Sequence, residues 1–200
     1  MSLNTQSLDT DLADVIEKAR ESLVQIHNGG HGAGAGTIWH SEGLIVTNAH
    51  VVSRGPLSVT LPDGRRMPAR LLASDADCDI AAITVAASGL PAIELGQSGP
   101  LRPGSMVLAI GHPFGVVGTA TAGTIVGVGE DLPEVGRPSR QWIAVSLNLR
   151  PGNSGGPLVD AEGRLVGINT MMTGPQAGMA VPVQVAKEFL KEAMSSRKVA

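Results

Sequence analysis

Three residues of this 200-residue chain carry groups that can act together as nucleophile, base and acid. Ser154 lies in "RPGNSGGPLVD", His50 in "GLIVTNAHVV", and Asp79 directly before the apolar run "IAAITV". A serine hydroxyl is a poor nucleophile near neutral pH until a neighbouring imidazole takes its proton. That imidazole needs a buried carboxylate to hold its tautomer and to stabilise the cation that forms. Taken singly, each residue has a plainer reading: a hairpin serine, a structural histidine, a turn aspartate. Asp75 and Asp77 compete with Asp79 as solvated turn residues, and Asp79 is preferred because it abuts the apolar strand.

Chain order removes two arrangements. "GNSGG" matches the G-x-S-x-G elbow, which needs an acid and then a histidine after the serine, at a strand–turn–helix junction. His27, His31, His40, His50 and His112 all precede Ser154, and "GGPLVDAEGRLVGI" reads as strand, turn, strand. The order Asp–His–Ser would draw its acid from the N-terminal helix and needs a parallel sheet, which the strand-rich middle of the chain does not offer. His–Asp–Ser remains, the order found on paired β-barrels.

The elements that must position these groups agree with it. Apolar residues Leu12, Val15, Ile16, Ala19 and Leu23 recur at helical spacing from Asp11, with Thr10 or Asp11 as N-cap. A second helix is expected over 183–194, just after Pro182. Between them lie twelve short strand patterns, near 23–27, 37–40, 43–47, 57–60, 67–73 and 80–85, then 106–110, 120–128, 141–145, 157–160, 164–170 and 178–181. Turn signals "SEG", "PDG" and "AEG" punctuate them, and the Gly/Pro-rich "LGQSGPLRPG" divides them six and six. The expected fold class is all-β: two six-stranded antiparallel barrels with short N- and C-terminal helices. One domain spans 1–200, with barrels over about 22–95 and 104–182 and a terminal helix over 183–195.

Composition narrows the function. With 26 glycines, 13 prolines and 2 % aromatic residues, the core must be built from Val, Ile, Leu and Ala. A net charge of −3 without a basic run argues against nucleic acid, and no apolar stretch is long enough to span a bilayer. The N-terminus lacks the pattern of a secretory signal, which fits a cytoplasmic protein, or a periplasmic or secreted one whose export segment has been trimmed. Cys78, the single cysteine, precludes an internal disulfide and reads as a small thiol. "GHGAGAG" leads into a strand pattern rather than a helix, so no dinucleotide site is expected. His27, His31 and His40 lack metal-ligand spacing; neither metal nor other cofactor is expected. Met171, Met172 and Met179 read as core or pocket lining.

"TNAHVV", "DCDIAAI", "AIGHPFG" and "RPGNSGGPLVD…GRLVGINT…GMAVP", in this order, resemble the protease domain of the HtrA/Deg family of trypsin-like serine endopeptidases. The resemblance spans about residues 20–195. It implies His50 as general base, Asp79 as orienting acid and Ser154 as nucleophile. The backbone N–H groups of Gly152, Asn153 and Ser154 would frame the oxyanion hole. Asn148, six residues before the serine, would form the base of the P1 pocket, with Ile168, Asn169 and Thr170 as wall and backbone partner. Without a carboxylate at 148, a small or medium apolar P1 residue is expected. The implied activity is cleavage of unfolded or extended polypeptide in protein quality control; the alternative is a latent protease fold that only binds polypeptide. A homotrimer is among the implied assemblies, and the PDZ domain many relatives carry is not expected within these 200 residues, either because the protein is single-domain or because flanking segments were removed. It departs from the family at Ala35 (usually Ser), His112 (Asn) and Arg150 (Asn), all beside the triad rather than in it.

Overall fold

The computed structural model describes residues 5–29, 33–52, 55–129, 132, 141–174 and 177–197; His31 lies outside them. The first six strands are β1 (Leu23–Asn28), β2 (Ala33–His40), β3 (Leu44–Thr47), β4 (Leu57–Thr60), β5 (Arg66–Asp75) and β6 (Ile80–Val85). They close into an antiparallel barrel in the order β1-β2-β3-β6-β5-β4. The next six are β7 (Met106–Gly111), β8 (Thr119–Gly129), β9 (Trp142–Ser146), β10 (Pro157–Val159), β11 (Leu165–Gly174) and β12 (Ala177–Pro182). They close in the order β7-β8-β9-β12-β11-β10, the same topology advanced by six strands.

Closure removes the exposed sheet edges that so Val- and Ile-rich a chain would otherwise present. Each barrel encloses its own apolar filling: Ile26, Ile38, Ile45 and Ile83 in the first, Ile125, Ile143 and Leu158 in the second. A third cluster lies between the barrels, where Ala35, Val46 and Ile80 meet Leu108, Ile110, Leu165 and Ile168. Each fully buried Ile or Leu contributes roughly 1.5–3 kcal/mol, so the joint between barrels is as apolar and as firm as the barrel interiors. The linker is sewn to the second barrel by Gly96 N–H donating to Leu165 O (2.8 Å) and Leu165 N–H donating to Glu94 O (2.8 Å).

Helix α1 (Thr5–Arg20) starts six residues before the expected Asp11. "TQSLDT" has no apolar period to reveal it, because the first turns carry polar residues. Leu12, Val15, Ile16 and Ala19 of its later turns pack on the cluster between the barrels. Helix α2 (Val183–Arg197) runs three residues beyond expectation and places Val185, Ala186, Phe189 and Leu190 on the same cluster.

Candidate active site

His50 and Asp79 both leave the first barrel at the end that faces the second. His50 sits in a short 3-10 turn (Ala49–Val51) directly after β3. Its Nδ1 lies 2.9 Å from each carboxylate oxygen of Asp79, and its backbone N–H donates to Oδ1 at 3.2 Å. A third donor, the Thr170 hydroxyl of β11, bonds Oδ2. Burial alone pushes the Asp79 carboxyl up, but the His50 and Thr170 hydrogen bonds outweigh it and hold Asp79 below the ordinary carboxylate range. Asp79 is therefore an anion aimed at an imidazole whose outer face is open: the His50 side chain is 51 % exposed and that of Asp79 only 11 %.

Asp79 adopts the left-handed backbone conformation (φ 50°), costly for a residue with a Cβ. The buried amide of Asn48 holds it there, donating to the Asp79 carbonyl at 2.8 Å. Asp75 caps the preceding turn instead, its Oδ1 accepting from the backbone N–H groups of Asp77 (2.7 Å) and Cys78 (3.0 Å). Of the three aspartates, Asp79 is the one joined to His50.

Ser154 comes from the loop between β9 and β10 of the second barrel. Arg150, Pro151, Gly152 and Asn153 make a β-turn closed by Asn153 N–H donating to Arg150 O (2.9 Å). Gly152 has φ 105°, which makes the turn type II. A Cβ at 152 would lie 2.1 Å from the His112 carbonyl oxygen, so only glycine fits. The Pro151 carbonyl accepts from Phe114 N–H at 2.9 Å. In a trans peptide C=O and N–H oppose each other, so the Gly152 N–H points away from residue 114. Among the described residues, neither the Gly152 nor the Ser154 N–H donates to a backbone carbonyl. Asn153 differs from the sequence-based expectation: its N–H closes the turn and is not available to a bound anion.

The Ser154 loop rests directly on the first barrel. Ala35 N–H donates to Ser154 O (2.8 Å) and the Thr37 hydroxyl to Gly155 O (3.3 Å). Gly155 has φ 85°, and a Cβ there would fall 2.0 Å from Ala35 O. This contact needs the glycine that follows the serine. The Ser154 hydroxyl donates to Thr170 O at 2.8 Å.

A cleft of about 750 Å³ opens over these groups. Beside Ser154 its wall is Leu149, Thr170, Met171 and Met172. The expected wall is corrected here at three positions. Asn148 is exposed and does not line the cleft. In this segment alternate residues face inward, so Leu147 and Leu149 are buried and Asn148 points out. Ile168 is fully buried between the barrels, and Asn169 turns its amide inward to Ile110 O (3.4 Å) and Pro157 O (2.9 Å). Thr170 keeps its place and gains a second role through Asp79. Sequence reasoning missed Asn48 and Thr47; the latter's hydroxyl bonds Ala35 O at 2.7 Å. Their signal was the polar pair "TN" buried against an apolar strand. Met171 and Met172 line the cleft as expected, whereas Met179 is core. His27 bonds the Thr60 hydroxyl (3.0 Å) and His40 accepts from Glu42 N–H (3.2 Å), both away from the cleft.

A model of the trypsin-like peptidase domain matches residues 34–168. The chain is 38 % identical over 173 residues to the putative serine protease HhoB of Synechocystis sp., covering 84 % of this chain and 42 % of that protein. It is 38 % identical over 170 residues to the mitochondrial serine protease HTRA2 of Drosophila pseudoobscura pseudoobscura, covering 82 % of this chain and 40 % of that one. The chain thus spans about two fifths of the length of these relatives. Among solved structures, the HtrA-type protease AlgW with tripeptide superposes with a TM-score of 0.83 at 35 % identity, covering 90 % of this chain and 62 % of that one.

Proposed function

The chain belongs to the trypsin-like peptidases and has HtrA-type serine proteases as relatives, and from that premise we propose that it is a serine endopeptidase with Ser154, His50 and Asp79 as its triad. The observation that carries this reading is the carboxylate of Asp79 bridged to His50 Nδ1 at 2.9 Å. That bond leaves Nε2 as the ring nitrogen to take a proton. For attack, the Ser154 hydroxyl gives up its bond to Thr170 O and passes its proton to His50 Nε2 as Oγ adds to the scissile carbonyl. The tetrahedral oxyanion is received by the Gly152 and Ser154 N–H groups, a contact that strengthens as charge develops. His50 returns the proton to the leaving amine, an acyl-enzyme remains on Oγ, and water hydrolyses it by the same steps in reverse order.

The substrate is an extended or unfolded polypeptide. β10 pairs with β11 only as far as Ile168, so beyond Thr170 that side of β11 is an open edge beside the cleft. A peptide added there would gain main-chain hydrogen bonds and place its P1 side chain against Leu149 and Met172. Among the described residues, no carboxylate other than Asp79, which is engaged with His50, lines the cleft. A small or medium apolar P1 residue fits this wall. Processing of unfolded chains in quality control is the setting in which such specificity is useful. A latent fold that only holds polypeptide is disfavoured by the type II turn at Gly152, which keeps two donors open.

An active-site-directed fluorophosphonate tests the core of this reading. Wild type is expected to be labelled, and Ser154→Ala and His50→Ala to lose the label while remaining folded. Labelling that survives Ser154→Ala would overturn it.

A further inference from the structure

The turn that presents Gly152 is held by one neighbouring loop. His112 N–H donates to Gly152 O and Phe114 N–H to Pro151 O, both at 2.9 Å. The same loop contains a titratable group that the chemistry above does not use. The His112 side chain is 3 % exposed, and its Nδ1 accepts a hydrogen bond from Gly118 N–H at 3.2 Å, closing residues 112–118 into a ring. Only a neutral imidazole with its proton on Nε2 can accept that bond. Nε2 is shut off from solvent beside the Val24 backbone, in a geometry short of a full hydrogen bond.

The surroundings oppose a second proton. Behind the loop is a cavity of about 420 Å³ between α1, β1 and the turn after β4. From α1, Arg20 lies against Gly118, where a Cβ would meet its Nε at 2.5 Å. Glu17 is bonded to Arg20 (2.6 Å), and Glu21 stands exposed at the rim. From β1, His27 is close enough to act electrostatically on the ring, and from the serine loop Arg150 lies over Phe114, 5.9 Å from its centroid. The turn after β4 contributes Leu61, Pro62 and Gly64, none of them ionisable. Burial is the main cause that holds the imidazole below the ordinary histidine range; the Val24 backbone opposes it, and weaker repulsion from His27 and Arg20 adds to it. A proton on Nδ1 would set N–H against N–H at Gly118 and place a cation beside Arg20. The loop is already unfavourable locally, with Phe114 at φ 53°. The Gly118 bond ties the His112 side chain across the loop, whereas Gly115 N–H to His112 O (2.9 Å) and Val116 N–H to Pro113 O (3.0 Å) close only its first turn.

We infer that His112 is a positioning residue: while its buried imidazole is neutral it locks the 112–118 loop against Pro151 and Gly152, and its protonation releases the oxyanion turn. The inference rests on the reading of Gly152 as an oxyanion donor. Its sign follows from linkage. The locked form binds this proton more weakly than a released loop, whose histidine titrates near 6.5. Locking is therefore complete above about pH 6.5 and weakens as pH falls below it.

The first test needs no catalysis. In His50→Ala, where the active-site imidazole no longer titrates, backbone amide resonances of Gly118 and Gly152 are followed by NMR from about pH 8 to about pH 5. The expected result is one shared midpoint below about 6.5, coincident with that of the His112 ring and absent in His50→Ala/His112→Asn. A Gly152 amide that does not follow the His112 ring overturns the inference, and this holds even if the double variant fails to fold. The second test compares kcat/KM on a peptide. Wild type should fall in acid with a two-proton slope carried by kcat, and His112→Asn with a one-proton slope. Superimposable profiles would sink the idea. Shared amide titration in a protein that hydrolyses no peptide would instead retire the proteolytic reading and leave the coupling standing.

Discussion

The two barrels have the same topology but hold their shares of the site differently. In the first, His50 and Asp79 stand at strand ends and are pinned by buried side chains: Asn48 on the Asp79 carbonyl, Thr170 on its carboxylate. In the second, Ser154 rides a glycine-rich loop held mostly by backbone hydrogen bonds from Ala35, His112 and Phe114. The Asp79 carboxylate is thus rigid, because it is buried and bonded by three donors, and the half-exposed His50 ring is held through it. The Ser154 loop is conditional, because a single flipped peptide at Pro151–Gly152 would remove a donor. On the proposed mechanism, these two modes of support put rigidity where a tautomer must be held and adjustability where a transition state must be received.

The sharpest way to break the comparison is at the rigid half. Asp79→Asn should keep the hydrogen-bond geometry but favour the wrong His50 tautomer, lowering kcat by about 10⁴-fold. It should also flatten the acid end of the stability curve. Asp79 is held below its ordinary pKa, so its stabilisation is present above about pH 4 and is lost as pH falls through the lower folded value. Equal acid stability in Asp79→Asn and wild type, by thermal melts, would show that this carboxylate adds no folding energy.

The adjustable half should be hurt less. Gly152→Ala places a Cβ where His112 O stands and must shift the turn. A loss of about 10²–10³ in kcat is expected, with Tm lowered as well, because Gly152 is buried and the backbone around it must move to admit a Cβ. If instead Tm collapses while the residual folded fraction is fully active, the loop is structural and not conditional.

The smallest effect lies in the cleft wall. Leu149→Ala removes the side chain expected to limit P1 size and should move preference toward larger apolar residues by about 10–200-fold. A peptide library cleaved chiefly after Arg would contradict the apolar pocket.

Much of the fold was legible because its signals are local. Twelve short Val/Ile-rich segments between turn signals fall within a few residues of the twelve strands, and the Gly/Pro linker lies where one barrel ends. The site was legible where a residue is fixed by what adjoins it: His50 after its strand, Asp79 before its own, Ser154 between glycines. The pocket was not. Asn148 was chosen by counting back from Ser154, but whether 148 or 149 faces inward depends on how the segment after β9 crosses the barrel. Asn153 was placed among the oxyanion donors by adjacency, whereas turn closure uses its N–H.

The sequence by itself therefore determined the strand count, the order of the chemical groups and the glycines that the serine loop requires, since those depend on residue type and near neighbours. Tertiary structure alone decided what holds Asp79 against His50, which N–H groups of the described residues remain unbonded, and that a histidine 42 residues before Ser154 lies under the turn at Gly152. Those outcomes arise where two barrels and a loop converge, and no stretch of chain contains more than one side of the contact.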